Sequence, residues 1–206
     1  MTQEQPVVVF DIGGVLADWN PAYAYRLRIA DAARRAFFLR EVCGDEWLED
    51  LNRGEVFETL IPGYGAKYPA WESEIAAYPA LWREMIAGPI AGMEAVFKDV
   101  GVSGSKVFLF TNHPAETIDV THDALPFLTR ADGIFVSGLE RLIKPDPAAF
   151  AAFEKKFDLI PGRTLLVDDE LANVVAARSR GWQAVHFHGS SSLRRSLRDA
   201  GVLKDA

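Results

Sequence analysis

The stretch VVVFDIGGVLADWNP, Val7 to Pro21, decides how this chain folds. It opens with Val7–Phe10, an apolar and largely β-branched run, and the run stops at Asp11. A short apolar run without polar alternation suits a strand buried on both faces of a parallel sheet. In open α/β sheets, ligands bind outside the carboxyl ends of the strands. Asp11 therefore stands where chemistry is expected.

Working outward, four more runs end the same way. Lys106–Phe110 stops at Thr111-Asn112, and Gly133–Val136 stops at Ser137-Gly138. Thr164–Val167 stops at Asp168-Asp169, and Gln183–Phe187 stops before a turn rich in Gly and Ser. Helical patterns alternate with these runs at Gly92–Val100, Ala115–Leu128, Pro147–Phe157, Glu170–Arg180 and Ser190–Ala200. The last opens on serines suited to an N-cap. Strand and helix in alternation predict an α/β fold, a doubly wound (Rossmann-like) parallel sheet of about five strands.

One region breaks the alternation. From Asp18 to Ala87 the pattern is helical, with long candidates at Ala22–Val42 and Ala70–Met85 and no convincing strand. Gly63, Gly65 and Pro69 punctuate its middle. The expected organisation is a hydrolase core of residues 1–17 and 88–206 with a helical cap, residues 18–87, inserted after the first strand. Trp19, Trp47, Trp71 and Trp82 fall in the insertion, and filling a small helical core is the simplest use for them.

Composition bounds the rest. The chain has 206 residues, 49% hydrophobic and 25% charged, an ordinary globular balance. Its net charge of -7 argues against nucleic acid or an anionic membrane as the main partner. Cys43 is the single cysteine, so neither an internal disulfide nor a cysteine zinc cluster is available. The start, MTQEQPVVVF, lacks the basic and apolar features of a signal peptide, and no segment reaches the ~20 apolar residues of a membrane span. A cytoplasmic address is the expectation. Oligomeric state is not legible.

The strand-end residues form a constellation. Asp11, Asp168 and Asp169 converge on one sheet edge with Thr111, Asn112, Ser137 and Lys144. Carboxylates that converge repel one another unless a cation lies between them. Mg²⁺ is the simple resolution, because it pairs a few carboxylates with substrate phosphate oxygens. A carboxylate that attacks phosphorus splits one hard step into two, and Lys144 with the cation would neutralise the equatorial oxygens. The chemistry thus points to a small phosphorylated substrate.

These pieces resemble the haloacid dehalogenase superfamily, whose members are mostly phosphatases. The resemblance rests on VVVFDIGGVLADWNP, on VFLFTNHP (Val107 to Pro114), on Lys144 in LIKPDPAAF, and on LLVDDELANVVAARSRGWQAVHF (Leu165 to Phe187). It implies Asp11 as nucleophile and metal ligand, Asp169 as direct ligand, and Asp168 in or just outside the metal's first shell. It implies Thr111 and Asn112, with Lys144, as the phosphate-binding group, and the main-chain carbonyl of Gly13 as a further Mg²⁺ ligand. The helical insertion matches the cap that family members carry.

The departure is at Gly13. Phosphatases of the family usually place a second aspartate there, as acid and base for the leaving group. Proton transfer of that kind is typically worth ~10² to 10⁴ in rate. Relatives resembling bacterial sugar-1-phosphate phosphatases also read Asp-x-Gly, so a sugar phosphate is one expected substrate. Asp18 is a poor stand-in, because it begins the linker before a helix start. Two alternatives stand beside the phosphatase. One is a 2-haloacid dehalogenase-like hydrolase, in which the aspartate attacks carbon without metal. That branch usually has Tyr at the position of Gly13. The other is a binding or regulatory member weakened by Gly13. Asn173 is expected to support the aspartate loop, and His122, His186 and His188 to be structural. Arg53 and Lys67 are surface cations that would otherwise select substrate. His113 either faces the site or lines a helix start.

Overall fold

A computed structural model describes residues 6–204. The expected spans at 1–5 and 205–206 lie outside the described residues. The chain runs β1 (Val7–Phe10), β2 (Ala17–Trp19), α1 (Pro21–Arg28), α2 (Ala32–Phe37), α3 (Asp45–Asn52), α4 (Phe57–Lys67) and α5 (Glu72–Ala77). It continues with β3 (Ile86–Pro89), α6 (Met93–Val102), β4 (Val107–Thr111), α7 (Ile118–Ala124), β5 (Gly133–Val136) and α8 (Ser137–Glu140). It closes with α9 (Pro147–Phe157), β6 (Thr164–Asp168), α10 (Leu171–Ser179), β7 (Gln183–His186) and α11 (Ser190–Asp199).

The main sheet is parallel, in the order β5-β4-β1-β6-β7. β1 lies in the centre, with Val8 opposite Val107 on one side and Leu165 on the other. All carboxyl ends therefore share one edge. The strands read as continuous apolar runs because both faces are covered. Val8, Phe10, Leu109, Leu165 and Val167 pack into one core, while Val9, Phe108, Phe110 and Leu166 pack into the other with Phe150, Phe153 and Trp182. Burying such aromatic side chains on both faces is the main stabilising term.

The insertion differs from its sequence reading in three ways. The expected helix Ala22–Val42 breaks into α1, α2 and a π-helical turn at Phe38–Val42. The break comes where the Asp31 carboxylate accepts from the Arg34 N–H and starts a new helix. The expected helix Ala70–Met85 splits into α5 and two 3₁₀ turns, Pro69–Trp71 and Trp82–Met85. Pro79, without an N–H, lies in the gap. Conversely, Gly63 and Gly65 do not punctuate a loop but lie inside α4. That helix persists because Phe57, Leu60 and Tyr64, on one face, are buried, and tertiary packing overrides weak propensity.

A short antiparallel ribbon also stands where no strand was expected. β2 pairs with β3, closing the base of the insertion on the core. The strands are brief and contain Asp18, Gly88 and Pro89, residues that carry no strand signal. Asp18 accepts a hydrogen bond from the Tyr23 hydroxyl at 2.9 Å, while Asn20 caps α1. At the carboxyl-terminal helix the cap is Gly189 rather than a serine, and the serines lie within the first turn.

The insertion packs onto the core as part of one continuous apolar cluster. Trp47 is its fully buried centre, edge-on against Tyr64 and Tyr78. Polar ties across the join run from the Phe57 N–H to Glu116 (2.7 Å), from Trp82 to Thr121 (3.1 Å) and from Arg53 to Asp146 (3.2 Å). Among the described residues, no helix is long and apolar enough to cross a membrane.

Candidate active site

Asp11 follows β1 and is buried, and its Oδ1 accepts the Ile12 N–H at 2.7 Å. Asp168 ends the neighbouring β6, and Asp169 follows it. Ligand atoms of all three carboxylates lie within 4.8 Å of one another. Lys144 enters from the loop after α8 and is fully buried. Its Nζ lies 2.6 Å from Asp168 Oδ2, 3.2 Å from Asp11 Oδ2 and 5.3 Å from the centre of the Phe110 ring.

Asp168 has little left to give a metal. Its Oδ1 accepts from the Glu170 N–H and from Asn173 Nδ2, both at 2.9 Å, while Oδ2 holds Lys144. It anchors Lys144 and, with Asn173, the start of α10. Asp169 is only half-buried. His186 Nε2 donates to its main-chain carbonyl at 2.8 Å, a support that histidine spacing in the sequence did not reveal.

The electrostatics follow from counting. One ammonium faces three carboxylates, so negative charge is in excess. Burial pushes the Asp11 carboxyl up to about 7, against the pull of Lys144 and with help from Asp168 and Asp169. Burial, then Asp168, also raises Asp169. Burial works to lower Lys144, but Asp11 and Asp168 hold it above the ordinary lysine range. A divalent cation between Asp11 and Asp169 fits this donor set, which is all oxygen and too negative without it.

Glycine is required at one position and free at the next. Gly14 has φ +70, and a Cβ there would fall 2.0 Å from Asp169 Oδ2. A Cβ on Gly13 would meet nothing within 4 Å.

The expected phosphate residues are placed less simply. Thr111 is buried at the end of β4. Asn112 uses its amide to clasp the main chain of Lys144, accepting from its N–H and donating to its carbonyl, each at 2.8 Å. Ser137 accepts the His113 N–H at 2.9 Å. His113 is buried. Its Nδ1 donates to the Pro114 carbonyl, so Nε2 accepts from the Thr121 hydroxyl, which in turn accepts Trp82 Nε1. Burial lowers the His113 imidazole to about 4, so it is neutral. His113 thus ties the core to the insertion. Arg53 pairs with Glu49 and Asp146, and Lys67 with Glu46, all at the surface.

Beside these groups a cavity of about 90 Å³ opens between core and insertion. Gly13, Thr111 and Asn112 line its inner end, and Trp19, Leu48 and Trp82 its outer wall.

The haloacid dehalogenase-like hydrolase family matches residues 6–181. The chain belongs to that family. It is 30% identical over 193 residues to the sesquiterpene phosphatase astK of Aspergillus oryzae, covering 92% of this chain and 93% of that one. Two solved family structures share the fold. A predicted HAD-like hydrolase from Porphyromonas gingivalis superposes with a TM-score of 0.71 at 20% identity, covering 95% of this chain and 99% of that one. The HAD family enzyme bt-2542 of Bacteroides thetaiotaomicron, in complex with magnesium and inorganic phosphate, superposes with a TM-score of 0.70 at 17% identity, covering 90% and 96%. The hydrolase assignment and the doubly wound fold expected from the sequence both stand.

Proposed function

We propose that the chain is a Mg²⁺-dependent phosphatase that uses Asp11 as its nucleophile on a small phosphate ester. The observation that carries the reading is the group of buried Asp11, Asp168 and Lys144 with half-buried Asp169 at the carboxyl edge of the sheet, short of positive charge by its own residues. The likeness to a sesquiterpene phosphatase, and a family enzyme crystallised with magnesium and phosphate, support it.

In this reading Asp11 and Asp169 hold Mg²⁺, with the Gly13 carbonyl, and Asp168 contributes through Lys144. The cation would supply charge neutralisation for the phosphoryl oxygens. Asp11 Oδ2 forms a bond to phosphorus as the ester P–O bond breaks, and the alkoxide leaves and takes up a proton. Water then attacks phosphorus, releasing inorganic phosphate and regenerating the carboxylate. Lys144 steadies Asp11 and the transferring group. Thr111 and the main chain around Asn112 cradle the phosphoryl oxygens. The helical insertion serves as the cap, shielding the site from water.

Phosphate release from acetyl phosphate, p-nitrophenyl phosphate and a set of alkyl and sugar phosphates, with Mg²⁺ or EDTA, tests the reading. Release that needs Mg²⁺ is expected. Halide release from 2-haloacids in EDTA, with no phosphate from any ester, would move the chain to the dehalogenase chemistry instead.

A further inference from the structure

We infer that the cavity beside Asp11 receives a hydrocarbon group, so that the substrate is the monophosphate of an apolar alcohol rather than of a sugar. The inference rests on the phosphatase reading above and names the substrate class of the same site.

The cavity joins the chemistry directly. Its inner end is formed by Gly13 and Thr111, the immediate neighbours of the proposed nucleophile and phosphate cradle. A phosphoryl group held there leaves the rest of its ester in the cavity. Glycine at position 13 widens that passage, because no side chain stands between the phosphoryl site and the cavity.

The walls decide what the ester carries. Trp19 and Trp82 pack together with ring centres 5.4 Å apart, and Leu48 and Ile86 lie beside them. Among the described residues, none that line the cavity is Asp, Glu, Lys or Arg, and His113 is neutral. The polar side chains there are mostly spoken for. Thr121, His113 and the Trp82 indole N–H bond one another, and the Asn112 amide holds the Lys144 main chain. Two lining residues carry a buried polar atom without a partner, Trp19 Nε1 and Asn52 Oδ1. One donor and one acceptor match a single hydroxyl. They do not match a sugar, whose several hydroxyls would each lose water and find no partner. Apolar contact across an aromatic wall is what such a pocket offers.

The test uses non-hydrolysable alkylphosphonates from butyl to octyl, titrated into the Mg²⁺-loaded protein and read by tryptophan emission, since Trp19 and Trp82 face the ligand. Affinity should rise roughly fourfold for each added methylene, the increment expected for burying a CH₂. Alongside, kcat/KM for octyl phosphate should exceed that for glucose 1-phosphate by at least about tenfold. Leu48→Asn should flatten the chain-length slope, with a thermal melt to confirm folding. If that variant melts early, the slope on the unaltered protein still decides. A flat slope, or a preference for glucose 1-phosphate, would overturn the inference while leaving the phosphatase intact. A steep slope with no phosphate release from any ester, acetyl phosphate included, would instead sink the phosphatase reading and keep the apolar cavity.

Discussion

The floor and the wall of this site are built on opposite principles. On the floor, the oxygens of Asp11, Asp168 and Asp169 lie within 4.8 Å of one another around a buried Lys144, and each group is fixed by the end of a central strand or by a neighbour so fixed. On the wall, Trp19, Leu48 and Trp82 present carbon, and the polar atoms near them are mostly turned to one another. The floor stores electrostatic strain of the sign that a bound cation would relieve. The wall stores little and serves by excluding water. Fixed charge for the reacting end and apolar surface for the rest is a division that lets one pocket carry both chemistry and selection.

That contrast can be broken at the floor first. Lys144→Met leaves Asp11 and Asp168 buried without their ammonium, so a loss of ~3–5 kcal/mol of unfolding free energy is expected in the metal-free protein. Urea unfolding in EDTA measures it, and phosphate release should vanish in the same variant. A variant as stable as the parent would mean that the cluster is not strained as described.

The join between floor and wall gives a smaller, pH-dependent effect. His113 is held neutral down to about 4 in the folded protein, whereas an unfolded histidine takes its proton near ~6.5. The unfolded chain therefore binds the extra proton across that window. Stability attributable to His113 is complete above ~6.5 and falls as pH drops toward 4, by up to ~3 kcal/mol. Unfolding curves of the parent and His113→Asn at several pH values should converge as the pH is lowered. Parallel curves would contradict a neutral, buried imidazole.

The smallest effect sharpens the comparison by carrying charge from floor to wall. Gly13→Asp fits sterically, since its Cβ meets nothing within 4 Å. It should speed release from alkyl phosphates, whose leaving groups need a proton, by ~10²-fold, the low end for such proton transfer. Turnover of acetyl phosphate, with a better leaving group, should hardly change. Equal changes for both would show that the new carboxylate acts on binding rather than on the proton.

The two regions were also unequally legible in the sequence. The floor could be read because parallel strands buried on both faces leave an unbroken apolar signature, and the residue that ends each one is polar by contrast. Val7–Phe10 and Gly133–Val136 coincide with their strands, and Pro147–Phe157 with its helix. The wall could not. Its helices are short, are interrupted near Asp31 and Pro79 rather than at clear glycine stops, and are held by packing around Trp47. The ribbon of β2 and β3 is too short for any period to show. Side-chain partners were mostly hidden. Support of the aspartate loop by Asn173 is legible, but nothing in the order of residues says that Asn112 clasps Lys144, that Asp168 holds Lys144 with its other oxygen, or that Thr121 joins His113 to Trp82. Those pairings exist only once the strands bring distant segments together.

In the proposed reaction Asp11 takes the phosphoryl group. Rapid acid quench of the Mg²⁺-loaded protein during turnover of acetyl phosphate, followed by peptide mass spectrometry, tests it most directly. A phosphate adduct is expected on the peptide that carries Asp11, lost on hydroxylamine treatment and absent from an inactive Asp11→Asn protein. Turnover with no adduct, retained in full by Asp11→Asn, would contradict it.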